Sequence, residues 1–457
     1  MFLKPLISSY FYLAERSWGR KILKGIGPSL LKSRFLSFLK PTRPWRKKRI
    51  AEVALIASNL TIDILSNPKR PLAVKQSIKG LAKNIASEGK RNKFRAKTGA
   101  APCLFVVDWT NRCNMNCYGC YADSYAQGSD LPLETVDRLV KEFKEELGAY
   151  FVVLSGGEPF LKWKDMAGLA EKHKDVTFMV YTNGSLINKE VISGLARLGN
   201  ICPCISVEGF DLETDERRGE GHFSRISKVM EELDKAGILF GFSATVTRQN
   251  AEVLSSDKFI DYYIKKGCKF GWYFIYIPIG RKPVLDLMVE PPQRVYLAEQ
   301  VHKWRSLQKP IFLGDFWNDG PEVQGCIAGG RRYFHVDGAG DIKPCVFTPL
   351  AAANIHDIYN GKSKYKSVAD VVLNSPVFKK VREVQKRVKD HTSPCIMIDY
   401  PELLREVWKE KGAKAVKSTP EGFFEGEIAK NLDSKSAAWR NRKSRGNYLK
   451  GSPFEGK

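Results

Sequence analysis

The sequence predicts an α/β chain built on a parallel sheet, with basic material at both ends. Two observations carry this. From Pro102 onward, short apolar runs alternate with amphipathic helical patterns, six pairs within about 200 residues, as expected of β/α units whose helices cover a parallel sheet. The segments that follow these runs are rich in glycine, serine and acidic residues, and ligands collect at the carboxyl ends of strands in such folds.

The 457 residues suffice for one large domain with appendages. Hydrophobic content of 43% and charged content of 27% are globular values, but the net charge of +24 is not. Residues 1–99 carry +19 and residues 409–457 carry +6, which leaves −1 for the body between them. Basic ends attract anionic surfaces, a membrane leaflet or nucleic acid. The expected division is a basic amphipathic helical extension over 1–100, a β/α domain over 101–320, a small cysteine-bearing α+β domain over 321–405 and a basic, largely disordered tail over 406–457.

In chain order, Phe2–Leu13, Ser29–Leu39 and Ile50–Leu65 read as helices. In the third, Ile50, Val53, Ile56, Leu60 and Ile64 recur at three- and four-residue steps, one helical face. Pro41, Pro44 and the run Arg46-Lys47-Lys48-Arg49 interrupt the series. Such an array can lie in a membrane interface or pack as a cap with a solvated basic face, and both readings stand. Disorder is expected over Glu88–Thr98, which is short, polar and basic. The uncharged run from Pro5 to Ala14 is only ten long, too weak for a secretory signal, and no segment reaches the roughly eighteen apolar residues that span a bilayer.

Strands are expected at Leu104–Trp109, Tyr150–Leu154, Thr177–Tyr181, Ile201–Val207, Phe240–Val246 and Phe270–Ile277. Helices are expected near Leu133–Leu147, Lys164–Lys172, Asn188–Leu198, His222–Ala236, Ser256–Lys266 and Pro292–Leu307. Ten cysteines are too sparse for a disulfide framework and point to a reducing cytoplasm.

Three of them, Cys113, Cys117 and Cys120, follow the first strand at spacings of four and three. Thiolates so close together suit one compact inorganic centre, zinc or an iron–sulfur cluster. A closed structural zinc site needs four ligands. No cysteine or histidine lies close after Cys120, and Cys103 falls in the strand before the trio. Three thiolates on a cubane leave one iron open.

This loop, Cys113-Asn114-Met115-Asn116-Cys117-Tyr118-Gly119-Cys120, with an aromatic before its last cysteine, resembles the cluster loop of the radical S-adenosylmethionine (radical SAM) superfamily. The resemblance covers about residues 100–400 and implies a partial (β/α)6 barrel. It also implies a [4Fe–4S] cluster that chelates the methionine moiety of SAM at its open iron, and an electron donor such as flavodoxin or ferredoxin. An oxygen-poor setting follows, since open-iron clusters oxidise readily.

Further motifs agree with this family. Strand two ends in Ser155-Gly156-Gly157-Glu158-Pro159, similar to the family's GGEP motif, which implies that Gly156, Gly157 and Glu158 meet the SAM amino group. Two glycines let a backbone approach a ligand closely, and a strand-end carboxylate can face an amine. Tyr181-Thr182-Asn183-Gly184 is similar to the family's TNG turn, and Asn-Gly is also an ordinary turn pair. Ser206 and Glu208 alternate onto one face and resemble ribose- and methionine-contacting positions. Arg218, in Arg217-Arg218-Gly219, could pair with the SAM carboxylate or be a surface arginine. Ser243, Thr245 and Tyr276–Gly280 are weaker candidates, because polar positions alternate in any barrel interior.

Past the barrel, Cys326, Cys345 and Cys395 resemble the opening of a SPASM/twitch auxiliary-cluster domain, with a hairpin expected around Asp337–Asp341. Three cysteines fall short of the four or seven such domains use. One auxiliary Fe–S cluster is therefore expected, open or completed by His391 or Asp399; the alternative is a cluster-free lid. Cys103, Cys202, Cys204 and Cys268 read as buried apolar residues. Asp315 and His335 are candidate proton-transfer groups.

The expected function is reductive SAM cleavage and hydrogen abstraction from a peptide, protein or membrane-associated lipid-like substrate. An RNA substrate lacks a stacking-aromatic motif. A non-enzymatic Fe–S carrier is the rival from another class. Residues 1–99 are the candidate contact with the inner face of a membrane.

Overall fold

The computed structural model describes residues 67–122, 129–280, 282–417 and 419–444. The three helices expected before residue 66 lie outside these residues. Helices α1 (Arg70–Ala86) and α2 (Glu88–Thr98) precede strand β1 (Phe105–Thr110). The body then runs α3 (Leu133–Glu142), β2 (Phe151–Gly156), α4 (Trp163–Lys172), β3 (Thr177–Thr182), α5 (Lys189–Leu198), β4 (Ile201–Val207), α6 (Asp211–Arg218), α7 (His222–Lys235) and β5 (Gly241–Val246). Next come α8 (Asp257–Lys265), β6 (Phe270–Ile275), α9 (Pro291–Ser306) and β7 (Phe312–Asp315). All six expected strands form within one or two residues of their expected ends.

Strands β1 to β7 pair in sequence order, all parallel, for example Phe105 with Val152 and Gly241 with Phe270. β7 was not expected. It pairs Phe270 with Phe312 at the open edge beyond β6. At the opposite edge, β8 (His335–Val336) adds to β1 in parallel and turns back as β9 (Asp341–Lys343). This is the expected hairpin, but it belongs to the barrel's own sheet, which continues to β11 (Ala353–Asn354), following the short β10 (Leu350–Ala351). The ten-stranded sheet runs from β11 to β7 and is not closed.

Alternation divides the core. Phe105, Val107 and Trp109 of β1 face outward beneath the helices, whereas Val106, Val153 and Met179 face inward, toward Phe347 and Met397 from the C-terminal part. Both faces of the sheet are buried, so its strands are near-continuous apolar runs.

Helix α1 closes the end of the barrel opposite the strand carboxyl ends. Its Gly80 has no room for a side chain, since a Cβ there would lie 2.4 Å from Thr177 Oγ1 and 2.6 Å from Thr177 N. Ser77 N donates to Gly199 O, and the Thr177 hydroxyl donates to Ser77 O. Arg70, 1% exposed, donates to Ile238 O and pairs with Asp234. Of the two readings of the basic extension, residues 70–98 adopt the packed cap.

Two expectations of disorder are corrected. Glu88–Thr98 is helix α2, which docks through a buried arginine instead of an apolar face: Arg91 donates to Gly148 O and pairs with Glu88. The tail also folds as far as residue 444. Past α10 (Ile355–Tyr359), α11 (Val368–Asn374), α12 (Pro376–Arg387), α13 (Pro401–Trp408) and β12 (Lys414–Ala415), helix α14 spans Glu427–Ser444. Ile428, Leu432, Ser436 and Trp439 of α14 are buried, and the Arg294 guanidinium lies 4.1 Å from the centre of the Trp439 ring. Its narrow buried seam, which also takes in Ala429, is diluted by lysines and asparagines, so it shows little periodicity in sequence. Among the described residues no helix is long and apolar enough to cross a membrane.

Candidate active site

A cavity of about 220 Å³ opens at the carboxyl ends of the strands, and Cys113, Cys117 and Cys120 all border it. The loop that carries them is set by the glycines of β2. Gly156 has φ +116°, and a Cβ on it would lie 2.3 Å from Thr110 O. A Cβ on Gly157 would lie 2.0 Å from Arg112 O. Gly157 N donates to Thr110 O at 2.8 Å and Glu158 N to Arg112 O at 2.9 Å. The missing side chains therefore admit the chain's own lead-in to the cysteine loop, where the sequence suggested room for a ligand. Both glycines also border the cavity.

Glu158 is corrected in its orientation. Its carboxylate is fully buried and accepts from Thr182 Oγ1 at 2.7 Å, Asn183 N at 2.7 Å and Phe160 N at 3.0 Å. It ties β2 to the end of β3 and does not line the cavity. Asn183 does line it, and its amide donates to Asn114 Oδ1 at 2.9 Å, holding the start of the cysteine loop.

Glu208, 1% exposed, pairs with Arg217 at 2.6 Å and with Arg218 at 2.5 Å. Arg218 also places Nη1 3.9 Å from Cys117 Sγ. Arg217, which sequence reasoning passed over, donates to Tyr118 O at 3.0 Å and Gly119 O at 3.3 Å. The signal for it was a pair of adjacent arginines facing one strand-end carboxylate. Both arginines border the cavity; Glu208 stands behind them, and Tyr118 is 53% exposed on the outer side of the loop. Ser206, Ser243 and Thr245 line the cavity as the strand alternation requires.

Burial pushes the Cys113 thiol up to about 11, against a hydrogen bond from the Met115 backbone. Burial raises Cys117 too, opposed by the Arg218 charge. Such thiols ionise only beside a strong cation, as a metal centre supplies. Among the described residues no fourth cysteine and no histidine lines the cavity, and no three His, Cys, Asp or Glu converge on a single ion. Three soft donors bordering one cavity suit a cubane.

A second cavity, about 400 Å³, is bordered by Cys326, Cys345 and Cys395. The tertiary fold thus assembles this trio from residues far apart in sequence. Of the candidate fourth ligands, Asp399 is fully buried, with its carboxylate on Arg294 and on Cys395 N at 3.0 Å, and neither it nor His391 lines the cavity. Asp315 and His335 are buried away from both cavities, the latter 2.9 Å from Asp108. Cys202, Cys204 and Cys268 are buried, and Cys103 is half-buried.

Comparison with known proteins agrees with this architecture. Residues 107–254 match the Radical SAM superfamily model. The AdoMet-dependent heme synthase of Methanosarcina barkeri is 27% identical over 317 residues, covering 63% of this chain and 86% of that protein. The sporulation killing factor maturation protein SkfB of Bacillus subtilis is 28% identical over 218 residues, covering 44% of this chain and 50% of that protein. The structure of anSMEcpe with bound AdoMet covers 76% of this chain and 99% of its own, with a TM-score of 0.51 at 17% identity, a likeness of fold. That class implies a [4Fe–4S] cluster and SAM, and the chain carries a radical SAM domain and is an enzyme of the radical SAM class.

Proposed function

We propose that this enzyme cleaves SAM reductively at a [4Fe–4S] cluster held by Cys113, Cys117 and Cys120 and abstracts hydrogen from a substrate in the adjoining cavity. The observation that carries this reading is the convergence of three cysteines on one cavity at the strand carboxyl ends, with no fourth cysteine and no histidine lining it among the described residues. When bound, such a cluster supplies one electron to the sulfonium, giving methionine and a 5′-deoxyadenosyl radical that takes a hydrogen atom from a substrate carbon. Gly156 and Gly157 would present backbone to the methionine amino group, and Ser206 and Asn183 would offer polar contacts beside it. Arg217 and Arg218, held by Glu208, would fix the cysteine loop and balance its thiolate charge. Glu158 would act by bracing Asn183, and Tyr118 by covering the loop from outside.

Cys326, Cys345 and Cys395 would hold one auxiliary cluster in the second cavity; their convergence supports this and favours it over a cluster-free lid. A flavodoxin or ferredoxin would supply the electron, and the basic residues 1–99 would touch an anionic membrane face from the cytoplasm.

The test is anaerobic reconstitution followed by dithionite and SAM. The expected products are 5′-deoxyadenosine and methionine, lost when Cys113, Cys117 and Cys120 are replaced by alanine. An iron-loaded protein that yields neither product would be a carrier, not an enzyme. About eight irons per chain mean two cubanes and about four mean one.

A further inference from the structure

We propose that the reacting segment of the substrate is the hydrocarbon chain of a membrane lipid, an inference that rests on the radical SAM reading above. The first argument is charge. Among the described residues that line the cavity, only Arg217 and Arg218 carry charge; both pair with Glu208, at 2.6 and 2.5 Å, and the one positive charge left over faces the cysteine loop, with Arg218 Nη1 3.9 Å from Cys117 Sγ. A substrate studded with carboxylates, such as a tetrapyrrole, would bring anions into a buried space with no uncommitted cation to meet them, at a cost of several kcal/mol for each ion.

The second argument is hydrogen bonding. Away from the cysteine loop the wall is mostly apolar, with Val106, Phe151, Met179, Phe274, Phe316 and Phe347, and the strand hydroxyls of Ser206, Ser243 and Thr245 interrupt it. Four further lining hydroxyls, those of Tyr121, Ser155, Tyr276 and Tyr333, have partners already. Tyr121 meets Ser155 Oγ at 2.8 Å, Tyr276 accepts from Val284 N at 2.9 Å, and Tyr333 meets Cys345 Sγ at 2.8 Å. A peptide threaded here would find only these few hydroxyls and leave most of its amides without partners, each costing on the order of 1–3 kcal/mol. A methylene chain asks for none.

The third argument is extent. The two cavities meet along a shared apolar wall that includes Trp272, Ile277, Phe316, Ile327 and Phe347. A chain lying along that wall would run from the cysteine loop toward the second cavity, an extended course suited to a chain and not to a compact polar metabolite. The occupant's source follows from charge complementarity: residues 1–66, ahead of the packed cap, carry +10, which draws the protein to an anionic leaflet where such chains are held. Unactivated C–H bonds are also a reason to use a primary carbon radical. The hydrogen atom moves with its electron to the 5′-carbon and leaves a radical on the chain, and the external one-electron donor replaces the electron used in cleaving SAM.

The experiment uses the reconstituted full-length protein with SAM and dithionite on phosphatidylglycerol vesicles. In one arm the acyl chains are perdeuterated, in a second the vesicles carry perdeuterated polyprenyl phosphate, and in a third only the headgroup glycerol is deuterated. Deuterium in 5′-deoxyadenosine from the first or second arm is the expected result and identifies the chain. Unlabelled 5′-deoxyadenosine in both, or label from the headgroup alone, overturns the hydrocarbon assignment while the radical chemistry stands. Absence of 5′-deoxyadenosine overturns both. A second readout needs no turnover: stearic acid bearing a nitroxide should quench wild-type emission more than that of Trp272→Phe, and equal quenching counts against the proposal.

Discussion

The Tyr333 hydroxyl lies 2.8 Å from Cys345 Sγ, and the Tyr333 ring borders both cavities. With a cluster bound, the thiolate would accept this hydrogen bond. Hydrogen bonds to cluster sulfurs raise the reduction potential by stabilising the more negative reduced state. Tyr333→Phe should therefore lower the potential of the auxiliary cluster, read by EPR titration, and leave that of the Cys113 loop unchanged. An unmoved potential would show that the contact does not persist in the loaded protein.

Gly157→Ala puts a Cβ 2.0 Å from Arg112 O, a backbone atom that cannot swing aside. The expected cost is about 2 kcal/mol or more of stability, with lower iron content after reconstitution because the displaced segment leads into Cys113. Gly168 is the control. It lies in α4 with nothing within 4 Å of an added Cβ, so Gly168→Ala should gain about 0.5–1 kcal/mol. Denaturant melts of the two variants should move in opposite directions.

Glu208 faces two guanidinium groups, each 11% exposed. Glu208→Gln removes their shared counter-charge and should cost about 3 kcal/mol. Because Arg217 also holds the Tyr118 and Gly119 carbonyls, the cysteine loop should loosen, and hydrogen exchange at residues 117–120 should speed up.

Burial, followed by the nearby Glu146 charge, pushes the Glu142 carboxyl up to about 7, while Ala369 N and Tyr359 Oη donate to it. The folded state thus binds a proton that the unfolded chain releases near pH 4.5. Stability from this group is complete below that pH and is lost as pH rises through about 7, on the order of 3 kcal/mol. Glu142→Gln should flatten the pH dependence of the melting temperature in this window and stabilise the protein at pH 8. An unchanged profile would mean that Glu142 stays ionised in the fold.

The β/α rhythm was legible because each strand is a continuous apolar run flanked by a helical period, a pattern local to a few residues. β7 escaped notice because Phe312–Asp315 is only four residues long and polar at its end. Helix α2 escaped because Arg91 is satisfied by a carbonyl 57 residues away. The strand-end motifs marked the region of the site, but not the direction of its side chains. Glu158 was expected to face a ligand and instead braces Asn183.

The sequence by itself determined the parallel α/β fold, the three-cysteine loop and the strand ends around it, because spacing and alternation are properties of the chain. Tertiary structure alone decided that Cys326, Cys345 and Cys395 share one cavity, that Arg217 and Arg218 share one carboxylate, and that the space beside them is apolar. Those relations join residues distant along the chain, and only packing fixes which partner satisfies a buried charge or fills a wall.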